Sequence, residues 1–221
     1  MPKNRKNCST RKKVEQFHLR LEEMKTHPQT QAFKYPEFKE VYDFISGLYP
    51  LLKTAIEAIT IYKNPNKGYC KKDLKIPASA GGAFFIQHKV IIITKSHIPD
   101  ELIACHEMLH YASRLMGCSF NSYHYEEEFA LGKSIPYILS KGYGEEWIVK
   151  WYLAPYYESY ELQKAGNPIK DSPGYKNAIS RAEVRAKNLI KFGYGEAILT
   201  GNEPKEEKPY NDRFNNAIRG T

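Results

Sequence analysis

Only four of the 221 residues are cysteine (Cys8, Cys70, Cys105 and Cys118), and no two of them stand in a C-x-x-C spacing. This excludes a four-cysteine zinc ribbon and gives little support for a disulfide scaffold. Long apolar runs are also missing, since the longest aliphatic stretch covers residues 90–93 and is far too short to span a membrane. No apolar stretch follows the basic N-terminus, so we expect a cytoplasmic or virion-associated protein without a secretory signal peptide.

Acidic residues are scarce at the start of the chain. Residues 1–25 hold eight Lys or Arg against three Glu, so they carry +5 of the net charge of +8. Counterion release attracts a basic stretch of this kind to polyanions, which makes residues 3–13 a candidate nucleic-acid contact. A solvated tail is the alternative, and it is the commoner role of a run of charges.

The rest of the chain has the composition of a globular protein, with 42% hydrophobic and 26% charged residues. Apolar residues recur at helical spacing through residues 14–62, which predicts a helical extension there. Two short β-branched and aromatic runs, residues 83–87 and 90–94, predict a β-hairpin. Start and stop signals predict that a helix over residues 99–116 and another over residues 122–140 follow the hairpin.

The first of these two helices contains an H-E-x-x-H motif, from His106 to His110. Residues i and i+4 lie one turn apart on the same helix face, so both imidazoles can bind one Zn²⁺. Zinc lowers the pKa of a bound water towards about 7, and Glu107 can accept the proton as hydroxide attacks a carbonyl. The motif therefore predicts His106 and His110 as zinc ligands and Glu107 as a general base. Two surface histidines on an amphipathic helix are the alternative.

The motif is surrounded by Gly-Gly-Ala-Phe-Phe from residue 81, Val-Ile-Ile-Ile-Thr from residue 90 and Leu-Ile-Ala-Cys from residue 102. In this order the segments resemble the core of the zincin metallopeptidases. The resemblance implies a third ligand on the next helix, which one zincin branch takes from an E-x-x-A sequence. Glu127, followed by Ala130, matches that sequence. Glu126, Glu128 and His124 stay open as alternatives, since successive helical residues point about 100° apart and only one of the three glutamates can face the metal.

A zinc peptidase also needs a hydrogen-bond donor for the oxyanion that forms at the attacked carbonyl. Five side chains of the region carry a suitable group, and the sequence does not choose among them: Tyr123, His124, Tyr125, Tyr143 and Tyr156.

The predicted fold class is α+β. We expect a zincin-like core at residues 76–142, made of a small antiparallel sheet, the motif helix and the helix after it. Mainly helical extensions flank this core, at residues 14–62 and in an aromatic-rich region at residues 143–200. A basic arm (residues 1–13) and a polar tail (residues 201–221) complete the expected organisation.

Residues 143–160 contain two tryptophans and five tyrosines, more than a small core can easily bury. Aromatic surface patches mark binding sites, so we expect self-association or a protein partner at this segment, with plain helix packing as the alternative. The leading hypothesis for function is a zinc-dependent metallopeptidase acting on a protein or peptide substrate. The alternative is a structural or assembly protein, for example a phage virion component, built on a zincin-like core.

Overall fold

The computed structural model describes residues 5–33, 36, 38–64, 74, 76, 80–94, 96–120 and 122–193. The helices of this part are α1 (Arg5–Thr26), α2 (Lys39–Leu48), α3 (Lys53–Glu57), α4 (Asp100–Leu115), α5 (Tyr123–Ser140), α6 (Glu145–Trp147), α7 (Ala154–Lys164) and α8 (Pro173–Phe192). The strands are β1 (Gln31–Phe33), β2 (Thr60–Asn64), β3 (Gly82–Phe85) and β4 (Val90–Thr94). Short 3-10 helices lie at Pro50–Leu52 and Ile86–His88, and a π-helix at Ile148–Leu153 joins α6 to α7. The predicted α+β class is confirmed.

The four strands form one mixed sheet in the order β1-β2-β4-β3. The predicted hairpin is confirmed, because β3 pairs antiparallel with β4 and Phe84 lies opposite Ile91. The expectation of an antiparallel sheet is wrong in one respect, since β2 runs parallel to β4, with Thr60 opposite Val90. Strand β1 and the first three residues of β2 belong to residues 14–62, so that region is not purely helical.

Strand β4 lies inside the sheet and is buried on both faces. Ile91 and Ile93 join the larger core, which α4 and α5 also line, whereas Val90 and Ile92 join a smaller core beneath α1. A strand covered on both faces has an unbroken apolar sequence rather than an alternating one, which explains the run at residues 90–93. The sheet is therefore a middle layer between α1 and the helix that carries the motif.

Most of the predicted basic arm is helical, because α1 already begins at Arg5. Lys and Arg are good helix formers, but the segment has no apolar periodicity, so the pattern did not reveal the helix. Residues 1–4 lie outside the described part of the chain. So does the predicted polar tail at residues 201–221, together with residues 194–200.

The two helices predicted around the motif are confirmed. Helix α4 follows Pro99 and has two acidic residues, Asp100 and Glu101, in its first turn. Their negative charges interact favourably with the positive end of the helix dipole. The chain reverses after α4 at Gly117, whose φ of 70° lies in the left-handed region that glycine adopts readily. Helix α5 starts after Ser122, so the reversal brings its first turns next to the motif.

The aromatic segment of residues 143–160 is mostly covered by the protein itself. Tyr152 and Tyr157 are buried, and Trp147 is half-buried with its ring against that of Tyr143. Trp151 is the exception, with 45% of its surface exposed. The core therefore does not bury all of these rings, as expected, although the π-helix and α7 pack against α8 and the larger core and bury two of them. The partner expected at this segment stays a prediction.

Candidate metal centre

The two histidines of the motif converge on one point. They lie one turn apart on α4, and their Nε2 atoms are 3.0 Å apart. Their rings are nearly perpendicular, at 80°, so both Nε2 atoms can be directed at a common centre. His110 is buried and His106 is half-buried, which places the pair just below the surface.

Glu127 on α5 completes the group. One of its carboxylate oxygens lies 3.3 Å from His106 Nε2 and the other lies 3.3 Å from His110 Nε2. Among the described residues, these three side chains form the group of His, Cys, Asp or Glu that could hold a metal ion. The ligands expected from the motif and from the E-x-x-A match are therefore brought together by the fold.

The three consecutive glutamates of α5 are all buried, and each has a different partner. Glu126 accepts two hydrogen bonds from the guanidinium group of Arg114, at 2.9 and 2.5 Å. Glu128 faces away from the histidine pair and accepts a hydrogen bond of 2.9 Å from the hydroxyl of Tyr157. Only Glu127 lies between the two histidines, as the 100° rotation between helical neighbours requires.

A chain of hydrogen bonds orients His106. Ser134 donates to the carbonyl of Leu131, so the Ser134 oxygen accepts from the hydroxyl of Tyr152, 2.8 Å away. Because the Tyr152 hydroxyl donates its proton to Ser134, its oxygen acts as an acceptor towards His106, and it accepts a hydrogen bond from Nδ1–H, 3.2 Å away. This assignment of hydrogens leaves the lone pair of His106 Nε2 available to a metal, which is the usual role of such outer partners.

Glu126 lies next to the outer nitrogen of His110, as Tyr152 lies next to that of His106. Its Oε1 lies 3.4 Å from Nδ1 of His110, and a carboxylate can only accept, so the proton of the neutral ring belongs on Nδ1. The ring of Phe84 stacks on His110 at a centroid distance of 5.7 Å and an angle of 9°. One face of this ligand thus packs on β3, and its outer nitrogen lies next to a carboxylate of α5.

The charges of the cluster are coupled. Burial alone would lower the pKa of His110, but the hydrogen bonds to Glu126 and Glu127 outweigh burial and raise it to about 10. Burial alone would raise the pKa of Glu127, but the hydrogen bonds to both histidines hold it well below its usual range. In the metal-free protein at neutral pH, His110 therefore carries a proton that a metal ion has to displace.

Glu107 lies beside the cluster without being part of it. Its carboxyl group is buried, and burial raises its pKa, although the nearby histidines act in the opposite direction. The carboxyl accepts a hydrogen bond from the backbone N–H of Phe84 on β3. The strand can come this close because residue 82 is glycine: a Cβ there would lie 3.0 Å from Cγ of Glu107 and 2.7 Å from Cγ2 of Ile103.

The five candidate oxyanion donors occupy different environments. Tyr123 is 69% exposed, and its hydroxyl group is hydrogen-bonded to Glu127, so it lies on the open side of the cluster. His124 is buried and stacked on Tyr160. Its Nδ1 lies 2.5 Å from the hydroxyl of Tyr156, so His124 and Tyr156 are hydrogen-bonded to each other. Tyr143 packs on Trp147, and the ring of Tyr125 is 5.7 Å from that of His124. Tyr123 is the one of the five whose hydroxyl contacts a residue of the cluster.

Several residues of the centre were not predicted. Tyr152 was counted only as one of the aromatic residues of a binding segment, and Ser134, Arg114 and Gly82 were not singled out. One signal was available for Arg114, which follows His110 by four residues and so lies on the same helix face. The partners of Tyr152 depend on the π-helix, which is commonly found at functional sites but has no simple sequence signature.

Comparison of the chain with models of protein families, with curated proteins and with solved structures finds no match. In the part of the chain that the structure describes, no helix is both long enough and apolar enough to cross a membrane. Arguments about function therefore rest on the geometry of the cluster and on the strand beside it.

Proposed function

We propose that the protein is a zinc-dependent metallopeptidase in which His106, His110 and Glu127 bind the metal ion. The observation that carries this proposal is the convergence of three ligand groups from two helices, with Glu107 beside them. A tetrahedral zinc ion with bonds of about 2.0–2.1 Å needs ligand atoms about 3.3–3.4 Å apart. The two Nε2 atoms are 3.0 Å apart, and each lies 3.3 Å from a different oxygen of Glu127, so the cluster is close to the size of a zinc site.

The choice of a catalytic over a structural metal follows from the number of ligands. Structural zinc sites use four protein ligands, whereas catalytic ones use three and keep a position for water. When bound at such a site, zinc supplies an acidified water and polarises the carbonyl oxygen of a substrate. Three ligands, one exposed tyrosine and an adjacent buried carboxylate fit the catalytic arrangement.

In this proposal Glu107 takes up and returns protons. Its side chain is held by the Phe84 backbone N–H, and it lies next to both histidines without bridging them. A buried carboxyl with a raised pKa is suited to this task, because it accepts a proton readily and can later pass it to the leaving amine. Tyr123, with its hydroxyl at Glu127, is the donor we assign to the oxyanion.

The edge of the sheet provides a binding site for an extended substrate. Strand β4 pairs on both sides and therefore has no free edge. Strand β3 is the terminal strand, and no described strand pairs with its outer side. Because Phe84 contacts both Glu107 and His110, a peptide that pairs with β3 is placed alongside the metal ligands. The zincin resemblance agrees with this arrangement of edge strand and motif helix.

The decisive experiment combines metal analysis with a proton-transfer variant. We expect about one zinc ion per chain in the wild-type protein and in Glu107→Gln, and none in His106→Ala. Hydrolysis of an unfolded protein substrate should be lost in Glu107→Gln and retained in Glu183→Gln, a matched change at an exposed residue of α8. Loss of zinc from Glu107→Gln would place that residue among the ligands and contradict its assigned role.

An assembly role is the second candidate, and one observation favours it. Trp151 is 45% exposed, and its ring lies near that of His97 and under the ammonium group of Lys150. Tryptophan is the residue type most enriched among binding hot spots. Sedimentation of the wild-type protein and of Trp151→Ala tests this candidate, which predicts an oligomer that the substitution dissociates.

A further inference from the structure

A cleft of about 320 Å³ lies at the end of β3, away from Gly82. Its apolar lining comes from Phe84 and Phe85 of β3, from Ile86 and from Phe17 of α1. Gln87, His88 and Arg114 are its polar lining residues. The size is at the lower end of the range for ligand pockets, so it suits one large side chain rather than a folded ligand.

The cleft is next to the metal centre, and two residues contact both. Phe84 lines the cleft and also stacks on His110. Arg114 lines the cleft and also holds Glu126, the neighbour of that same histidine. An extended chain lying along the outer edge of β3 would therefore pass from the metal ligands directly to the cleft.

The lining determines the chemistry of the occupant. The ring of Phe17 lies 5.4 Å from that of Phe85 and 6.0 Å from that of His88, so aromatic faces surround much of the space. Burial and the proximity of His18 and Lys25 lower the pKa of His88. The charge of Arg114 is paired with Glu126. A positively charged side chain would find no partner of opposite charge among the lining residues, whereas an aromatic one would find rings to pack on.

We propose that this cleft is a specificity pocket that binds one large apolar, preferably aromatic, side chain of the substrate close to the bond that is cleaved. The inference rests on the proposed peptidase function and adds the substrate class. It also assigns a function to α1, which lies outside the zincin-like segment and would otherwise only cover the sheet. Phe17 is a specificity-determining residue in this arrangement.

Two small chelators test the pocket without relying on turnover. Phenylalanine hydroxamate and alanine hydroxamate share the metal-binding group and differ in the side chain, and calorimetry measures the affinity of each for the zinc-loaded protein. We expect the phenylalanine compound to bind about tenfold tighter or more, because its ring is buried against aromatic walls. Substitution Phe17→Ala removes the ring that α1 contributes to the lining of the cleft, and it should bring the ratio of affinities towards one.

The matched control is Leu19→Ala, a change at an exposed residue of the same helix that leaves the cleft intact. It should retain the wild-type ratio, and thermal melts of all three proteins establish that each is folded. Equal binding of the two compounds by the wild-type protein, or a preference that survives Phe17→Ala undiminished, would overturn the inference. A wild-type protein that binds no zinc would instead overturn the proposed function, and the pocket assignment with it.

Discussion

Replacing Gly82 by alanine tests whether β3 is held against the motif helix as tightly as the structure indicates. The added Cβ would lie 2.7 Å from Cγ2 of Ile103, 3.0 Å from Cγ of Glu107 and 3.1 Å from the backbone oxygen of Ile92. Rotation of Ile103 could relieve the first contact only by moving a side chain that is 6% exposed and packed in the core. The third contact is with backbone, so β3 itself has to move.

The magnitude follows from the number of groups that must shift. Inserting one carbon into a closely packed site costs about 1–3 kcal/mol of unfolding free energy, and three tight neighbours place Gly82→Ala in the upper half of that range. Gly47→Ala is the matched control, since Gly47 is exposed on α2 and a Cβ there has no neighbour within 4 Å. In a helix, alanine is favoured over glycine by about 1 kcal/mol, so the control should be stabilised.

Urea denaturation followed by circular dichroism measures both effects. The midpoint should fall for Gly82→Ala and rise for Gly47→Ala, with similar slopes. Gly82→Ala should also lower the rate of peptide hydrolysis under conditions in which the protein is still folded, because displacement of β3 removes the Phe84 hydrogen bond from Glu107. The reasoning would be refuted by a Gly82→Ala protein with wild-type stability, or by one that is destabilised yet hydrolyses peptides at the wild-type rate under folding conditions.

Other residues of the centre give further expectations. Glu126→Gln should weaken zinc binding about 10- to 100-fold in competition titrations with a chelator, because it removes the carboxylate next to His110; unchanged affinity would contradict an orienting role. Tyr152→Phe should weaken zinc binding by a similar factor of at least about 10, since Nδ1–H of His106 loses its acceptor. Zinc binding at pH 7 should release about one proton, because the pKa of His110 is raised to about 10 in the metal-free protein; calorimetry in buffers of different ionisation enthalpy measures this number. The raised pKa of His110 also stabilises the metal-free protein, and this stabilisation is complete below the unfolded pKa of about 6.5. The melting temperature of the metal-free protein should therefore fall as the pH rises from 7 through about 10, and a constant melting temperature would contradict the coupling.

The part of the site that depends on one helix could be predicted from the sequence. The spacing of His106 and His110 places both on one face whatever the rest of the chain does, and the start and end signals of α4 are local. The choice among Glu126, Glu127 and Glu128 could not be made from spacing alone, because it depends on the rotation of α5 relative to α4. The structure places Glu127 at the cluster.

The part of the fold that depends on distant segments could not be predicted. The parallel pairing of β2 with β4 joins Thr60 to Val90 across thirty positions of the sequence, and the short run in β2 has no pattern that identifies a partner. The wall that Phe17 contributes was missed for the same reason. Its helical periodicity predicts that α1 has a buried face, but not that this face packs on the side of the sheet opposite the motif helix.

The run of three glutamates has a consequence for how sequences of this kind can diverge. Each residue of the run contacts a different partner: Glu126 contacts Arg114, Glu127 contacts the histidine pair, and Glu128 contacts Tyr157. Inserting or deleting a single residue inside the first turns of α5 would rotate the run by about 100° and exchange all three partners at once. The described residues of the turn between Gly117 and Ser122 contribute no group to the metal cluster, so we expect its length to vary more readily. Among homologous chains, we therefore expect gaps in the alignment to accumulate in that turn and to be absent from the first turns of α5.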